Sequence, residues 1–210
     1  MKPSLNNSSY MFVLQETFHY SSSLWTDTKT FNAENGHDLE EVETKLASYN
    51  NTPFSKICLG MRKHGTAKKD TKWIQLLRAA DSLYSLIADG HYRQTYVERS
   101  QWASLINEPS LQKHCNKEGF NIQDDQVKLR LGLIGNNENS CSSPDSVIGF
   151  GFEIKPCGKN DWYHSSSGNI GSCIGFLDYF VLRSNPTFGF IFVQWYLKHT
   201  QTINLVHLIK

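Results

Sequence analysis

No apolar run in the 210 residues is clean enough to cross a bilayer: the longest stretch, Ile174 to Leu197, is broken by Asp178, Arg183, Asn185 and Pro186, which are costly at the centre of a membrane. No membrane span is expected. Charge of one sign is missing too, because 21 Lys and Arg nearly cancel 20 Asp and Glu to leave +1. With no polybasic stripe to track phosphates, nucleic acid is not an expected partner. Paired CxxC spacing is absent, which excludes the usual structural zinc ligand sets. No nucleophile elbow or phosphate-binding glycine loop follows a strand. The candidate Gly149-Phe150-Gly151-Phe152 lacks the lysine and hydroxyl of a P-loop and suits close backbone packing or a tight bend instead. Enzyme activity is therefore not expected. Met1 to Asn7 holds no apolar core before a cleavage site, so a longer natural precursor carrying the leader is anticipated.

What the chain does have is aromatic residues. They make up 12% of it, against 39% hydrophobics overall, so large rings must supply much of the buried area of one loop-rich β domain. Cys58, Cys115, Cys141, Cys157 and Cys173 lie far apart, leaving disulfides or buried thiols, with at least one thiol unpaired. Glycosylation acceptor patterns at Asn6, Asn7 and Asn50 accompany them. Together these features predict an extracellular, secreted protein.

Local patterns predict the elements. Tyr10 to Tyr20 reads as a covered strand, and Asp38 with Glu41 resembles a capping box opening a short helix through Leu39, Val42 and Leu46. In Phe54 to Met61, Ile57, Leu59 and Met61 alternate with Lys56, Cys58 and Gly60, a strand that points Cys58 away from the apolar row. A solvated connection over Arg62 to Lys72 leads to Trp73-Ile74-Gln75-Leu76-Leu77. Ser82 to Ile87 before Asp89-Gly90 reads as a strand entering a hairpin turn. Arg99 to Ile106 reads as a short helix capped by Ser100, with Trp102, Leu105 and Ile106 on one face. Val127 to Ile134 is the clearest strand, Val127, Leu129, Leu131 and Leu133 pointing one way, and Phe188 to Val193 reads as an interior strand. Cys115 and Cys141 flank the Val127 strand and suit a disulfide. Cys58, Cys157 and Cys173 then compete for one further bridge, leaving Cys157 or Cys173 free.

Two polar segments are candidate sites. Between Gly135 and Ser146, Asn137, Glu138 and Asp145 offer the oxygen ligands calcium prefers, although Asn, Ser, Pro and Asp equally build ordinary turns. Asp161, Trp162, Tyr163 and His164 combine rings that can stack on sugars with groups that fix hydroxyls, the makings of a shallow carbohydrate site, or of a loop pinned to the core. A rival hydrolase would draw on His91, His114, His164, Asp161 and Glu118, which no motif brings together.

The blocks Phe54 to Met61, Ser82 to Gly90, Cys115 to Asn121, Asn136 to Gly151 and Gly189 to Gln194 resemble the secreted skeletal organic matrix proteins of stony corals. A deeper likeness runs to fibrinogen-related domains of the intelectin type, through the Asn136-Asn137-Glu138 block, Cys157-Gly158 with Asp161-Trp162, and the last apolar strand. This resemblance implies an α+β, β-rich, fibrinogen-related single domain with short helices and disulfides. It further implies calcium-dependent binding of glycans, or a place among extracellular matrix components without lectin activity. Phe152-Glu153-Ile154-Lys155-Pro156 stands where the intelectin pattern has His, a Gly-rich run and Glu. The expected organisation is a tail over 1–8, the domain over 9–194 and an atypical extension over 195–210.

Overall fold

In the computed structural model, residues 8–14, 17–36, 38–155, 160–174 and 181–194 are described. Cys157 and the ends at 1–7 and 195–210, with the acceptor Asn6 and Asn7, lie outside them. The elements in chain order are β1 (Ser8–Leu14), β2 (Thr44–Lys45), α1 (Ser48–Asn51), β3 (Phe54–Lys63), β4 (Lys72–Ala80), α2 (Leu83–Ile87), α3 (Arg99–Ala103), β5 (His114–Gln123), β6 (Val127–Asn136), β7 (Ser146–Ile154), β8 (Tyr163–Ile174) and β9 (Val181–Gln194). All strand pairs are antiparallel. The chain is thus β-rich, one curled antiparallel sheet with a few short helices. Its order is β2-β1-β9-β8-β7-β6-β5, with the β3–β4 hairpin branching from β9. The first part of β9, to Pro186, pairs with β8, and its remainder pairs with β1 on one edge and β3 on the other.

The register lines up residues in rows across β5 to β8, and the rows explain the curl. Gly119, Gly132, Gly149 and Gly168 form one. A Cβ added to them would lie 2.4 Å from the Arg93 carbonyl oxygen, 2.2 Å from that of Ile148, 2.3 Å from that of Leu131 and 2.5 Å from that of Asn185. Only glycines permit backbones to close on one another along such a crease. Two positions further on, Asn121, Arg130 and Gly151 stand opposite one another, and Asn121 and Gly151 take left-handed φ values of 50° and 63°. Left-handed residues break the alternation of a strand. On one side of this row Phe120, Leu131 and Phe150 belong to the main core, while on the other Ile122, Leu129 and Phe152 belong to a separate satellite cluster. The apolar row expected along β6 therefore changes its packing partners between Leu129 and Leu131.

The main core is closed by Ile57, Leu59 and Met61 of β3, Ile74 and Leu76 of β4, and Leu83, Leu86, Ile87 and Trp102 of the helices. Cys58 turns to the other side of β3 and packs with Phe188, Phe190 and Phe192, as the alternation requires. It is a free, buried thiol, so no further bridge involves it. Cys115 and Cys141 are joined, their Cα atoms 5.1 Å apart. Among the described residues no helix is long and apolar enough to cross a membrane.

Several expected elements differ. Ser82 to Ile87 is not a strand: the Ser82 hydroxyl accepts the Ser85 N–H at 3.1 Å and starts α2, whose C-terminal end precedes the Asp89-Gly90 turn. Asp38 to Leu46 is not a helix, because Asp38 and Leu39 take left-handed φ values of 57° and 59° and the chain then enters β2. The strand predicted to Tyr20 gives way to a turn over 17–21, and Ser8, assigned to the tail, already belongs to β1. Glu98 rather than Ser100 occupies the N-cap of α3, although Trp102, Leu105 and Ile106 are buried as predicted.

Candidate binding site on the polar row

Beyond the Arg130 row, the sheet face that carries Arg130 turns polar. Gln123, Lys128, Glu153 and His164 stand opposite one another on β5, β6, β7 and β8. Side chains opposed in this way share a face. The turn after β1 covers part of the row. The Tyr20 hydroxyl donates to Gln123 Oε1 at 3.1 Å, His19 Nδ1 lies 3.0 Å from Glu153 Oε1, and the Ser21 N–H donates to the same oxygen at 2.8 Å. Arg130 fixes that turn from below, with its guanidinium 4.1 Å from the Tyr20 ring centre and its Nε donating to the Tyr20 carbonyl at 2.9 Å.

Glu153 is only 4% exposed. Burial pushes its carboxyl up, but the hydrogen bonds from His19 and Ser21 and the charge of His164 outweigh that and hold it below the usual range. His164 Nδ1 is 3.6 Å from Glu153 Oε1, and the two imidazoles meet edge to face with centres 5.5 Å apart.

At the outer end of the row Lys155 Nζ and Lys128 Nζ lie 4.8 and 5.1 Å from the centre of the Trp162 ring. An open groove of about 550 Å³ runs beside it, lined by Gln123, Asp124, Asp125, Lys128 and Trp162. One aromatic surface, two carboxylates, an amide and an ammonium thus converge on solvent.

The four residues predicted to bind carbohydrate divide. Trp162 enters the groove, and His164 faces Glu153. Tyr163 packs on the satellite cluster with its hydroxyl 3.2 Å from Ser184, and Asp161 is exposed beside them. Asn137 and Glu138 are exposed on the β6–β7 turn, which Asn136 ties together by donating to the Ser140 carbonyl at 2.9 Å. Asp145 is half-buried, and burial raises its carboxyl despite a hydrogen bond from Gln112. That turn lies at the opposite end of β6 from Lys128, roughly 25 Å of extended strand away. The two predicted sites are therefore separate places.

The residues of the rival hydrolase do not share one cleft contact: Glu118, His91 and His164 each have a different partner. Glu118 is buried and accepts from Thr95 and from the Tyr96 N–H at 2.9 Å, while His91 lies 3.1 Å from Asp89. His114 sits opposite Asn136 at the start of β5. Sequence reasoning missed His19 and Glu153. The available signal was Glu153 itself, a lone charge in the otherwise apolar strand SVIGFGFEI. Comparison of the chain with protein-family models, with curated proteins and with solved structures finds no match.

Proposed function

We propose that this is an extracellular recognition domain that takes a saccharide in the groove beside Trp162. The observation that carries the reading is the composition of that groove. A half-buried indole offers a flat face for sugar C–H groups, while Gln123, Asp124, Asp125 and Lys128 supply donors and acceptors at its rim. The Cys115–Cys141 disulfide supports an oxidising compartment, and the resemblance to coral matrix proteins and fibrinogen-related lectins agrees with both. Calcium, where bound by Asn137, Glu138 and Asp145, acts on the β6–β7 turn and not as a bridge to sugar, because the turn is distant from the groove.

A glycan array followed by calorimetric titration tests the reading. Binding should survive a chelator and fall roughly 5- to 30-fold in Trp162→Ala, since stacking on one ring contributes on the order of 1–2 kcal/mol. An array silent for the wild-type protein, or a Trp162→Ala variant that binds as well, removes the lectin activity and leaves an extracellular matrix protein without it.

A further inference from the structure

We propose that His19, Glu153 and His164 form a binding site for a divalent transition-metal ion of the zinc, nickel or copper class. Among the described residues, these three place one ligand atom each within 4.8 Å of one another. Ligands around a tetrahedral ion with bonds of about 2.0–2.1 Å stand about 3.3 Å apart. The separations from Glu153 Oε1, 3.0 Å to His19 Nδ1 and 3.6 Å to His164 Nδ1, bracket that spacing. The two imidazole nitrogens, within 4.8 Å of each other, draw together to complete the third edge.

The three positions are held from outside the cluster. Glu153 and His164 are direct cross-strand neighbours, so the β7–β8 register sets their spacing. The Ser21 N–H orients the carboxylate, an outer-shell contact of the kind that tunes ligands. His19 is fixed because Trp25 Nε1 donates to its carbonyl at 3.0 Å, and the adjoining Tyr20 is clamped by Arg130. Exposure is graded as an ion would need, with the Glu153 side chain 5% exposed at the floor and those of His19 and His164 36% and 51% exposed at the rim. Solvent can therefore fill a fourth position.

The donor set selects the metal class. Two imidazole nitrogens and one carboxylate suit zinc, nickel and copper, whereas calcium and magnesium require a shell of oxygens. This site is distinct in residues and metal from the oxygen-rich β6–β7 turn, and it does not rest on the saccharide reading.

The test is calorimetric titration of the intact protein with zinc chloride, repeated with calcium chloride. Wild type should bind one zinc ion, and the calcium titration should be the same for wild type and His164→Ala. His164→Ala and Glu153→Gln should each weaken zinc binding at least tenfold. His91→Ala, which removes a histidine paired with a carboxylate elsewhere, should leave it unchanged. His164 is half-exposed, so its variant folds, and a matching melting curve establishes this independently of binding. Zinc affinity in His164→Ala equal to wild type overturns the proposal, as does no saturable zinc binding by wild type or an equal loss in His91→Ala.

Discussion

Arg130 lies over the Tyr20 ring, its guanidinium 4.1 Å from the ring centre, and binds the Tyr20 carbonyl through Nε. Its Nη1 reaches the Ile87 carbonyl at 3.4 Å and Asn121 Oδ1 at 3.2 Å. One side chain thus joins the turn after β1, the end of α2 and the middle of β5.

Truncating that side chain leaves buried acceptors without a donor. Arg130→Ala should destabilise by about 3 kcal/mol. Arg130→Lys, which keeps the charge and loses the planar stack, should cost about 1–2 kcal/mol. Urea midpoints at neutral pH measure both, and a lysine variant as stable as wild type would contradict the role given to the stack.

Gly151 and Gly65 both take left-handed φ values, 63° and 75°, but in different surroundings. A Cβ at Gly151 would lie 2.7 Å from Trp25 Cζ2, whereas one at Gly65 meets nothing within 4 Å. Gly65→Ala should therefore cost about 1 kcal/mol from backbone conformation alone. Gly151→Ala should cost at least about 2 kcal/mol more, because a fully buried indole must also move. Equal shifts in midpoint for the two variants would show that the Trp25 contact is irrelevant.

How much of this was visible beforehand depended on whether the decisive contact was local. The alternation of Ile57, Leu59 and Met61 against Cys58 foretold which way each points, because one strand's pleat settles it. The same pattern in Val127, Leu129, Leu131 and Leu133 could not reveal the exchange of packing partners at Arg130. That exchange needs left-handed backbone at Asn121 and Gly151, on the two neighbouring strands. In Ser82 to Ile87 a side-chain cap outweighed a turn signal. The His19–Glu153 contact joins positions 134 residues apart, and no spacing rule reaches so far.

Cysteine chemistry separates the two environments sharply. Non-reducing peptide mapping should recover Cys115 linked to Cys141, and removing that bridge should cost roughly 3–4 kcal/mol on the chain-entropy account. Cys58, whose thiol burial pushes up despite a hydrogen bond from Gln75, should react with iodoacetamide only after denaturation. Rapid labelling of Cys58 in the native protein would refute its placement against Phe188, Phe190 and Phe192.

Asp89 gives a pH signature. Arg93 donates to its two oxygens at 2.8 and 2.5 Å, and with the His91 hydrogen bonds this holds the carboxyl well below the usual range despite some burial. The unfolded chain binds the proton more readily. The stabilisation is therefore complete above the unfolded value of about 3.9 and is lost as pH falls from there towards the folded value. Wild type should melt above Asp89→Asn at pH 7, and the gap should narrow below pH of about 4. A gap that stays constant down to pH of about 2.5 would exclude this linkage.

The position of β9 sets when the molecule can be finished. Synthesis delivers β1 first, yet its partner Gly189–Gln194 emerges only after nearly all the intervening chain, roughly 10–30 s later at ordinary ribosomal speeds. Until then β1 and β3 each wait for the same strand, and no strand pairing joins the β5–β8 ribbon to the β3–β4 hairpin. The nascent chain carries unpaired sheet edges through that interval, until β9 pairs with β1, β3 and β8.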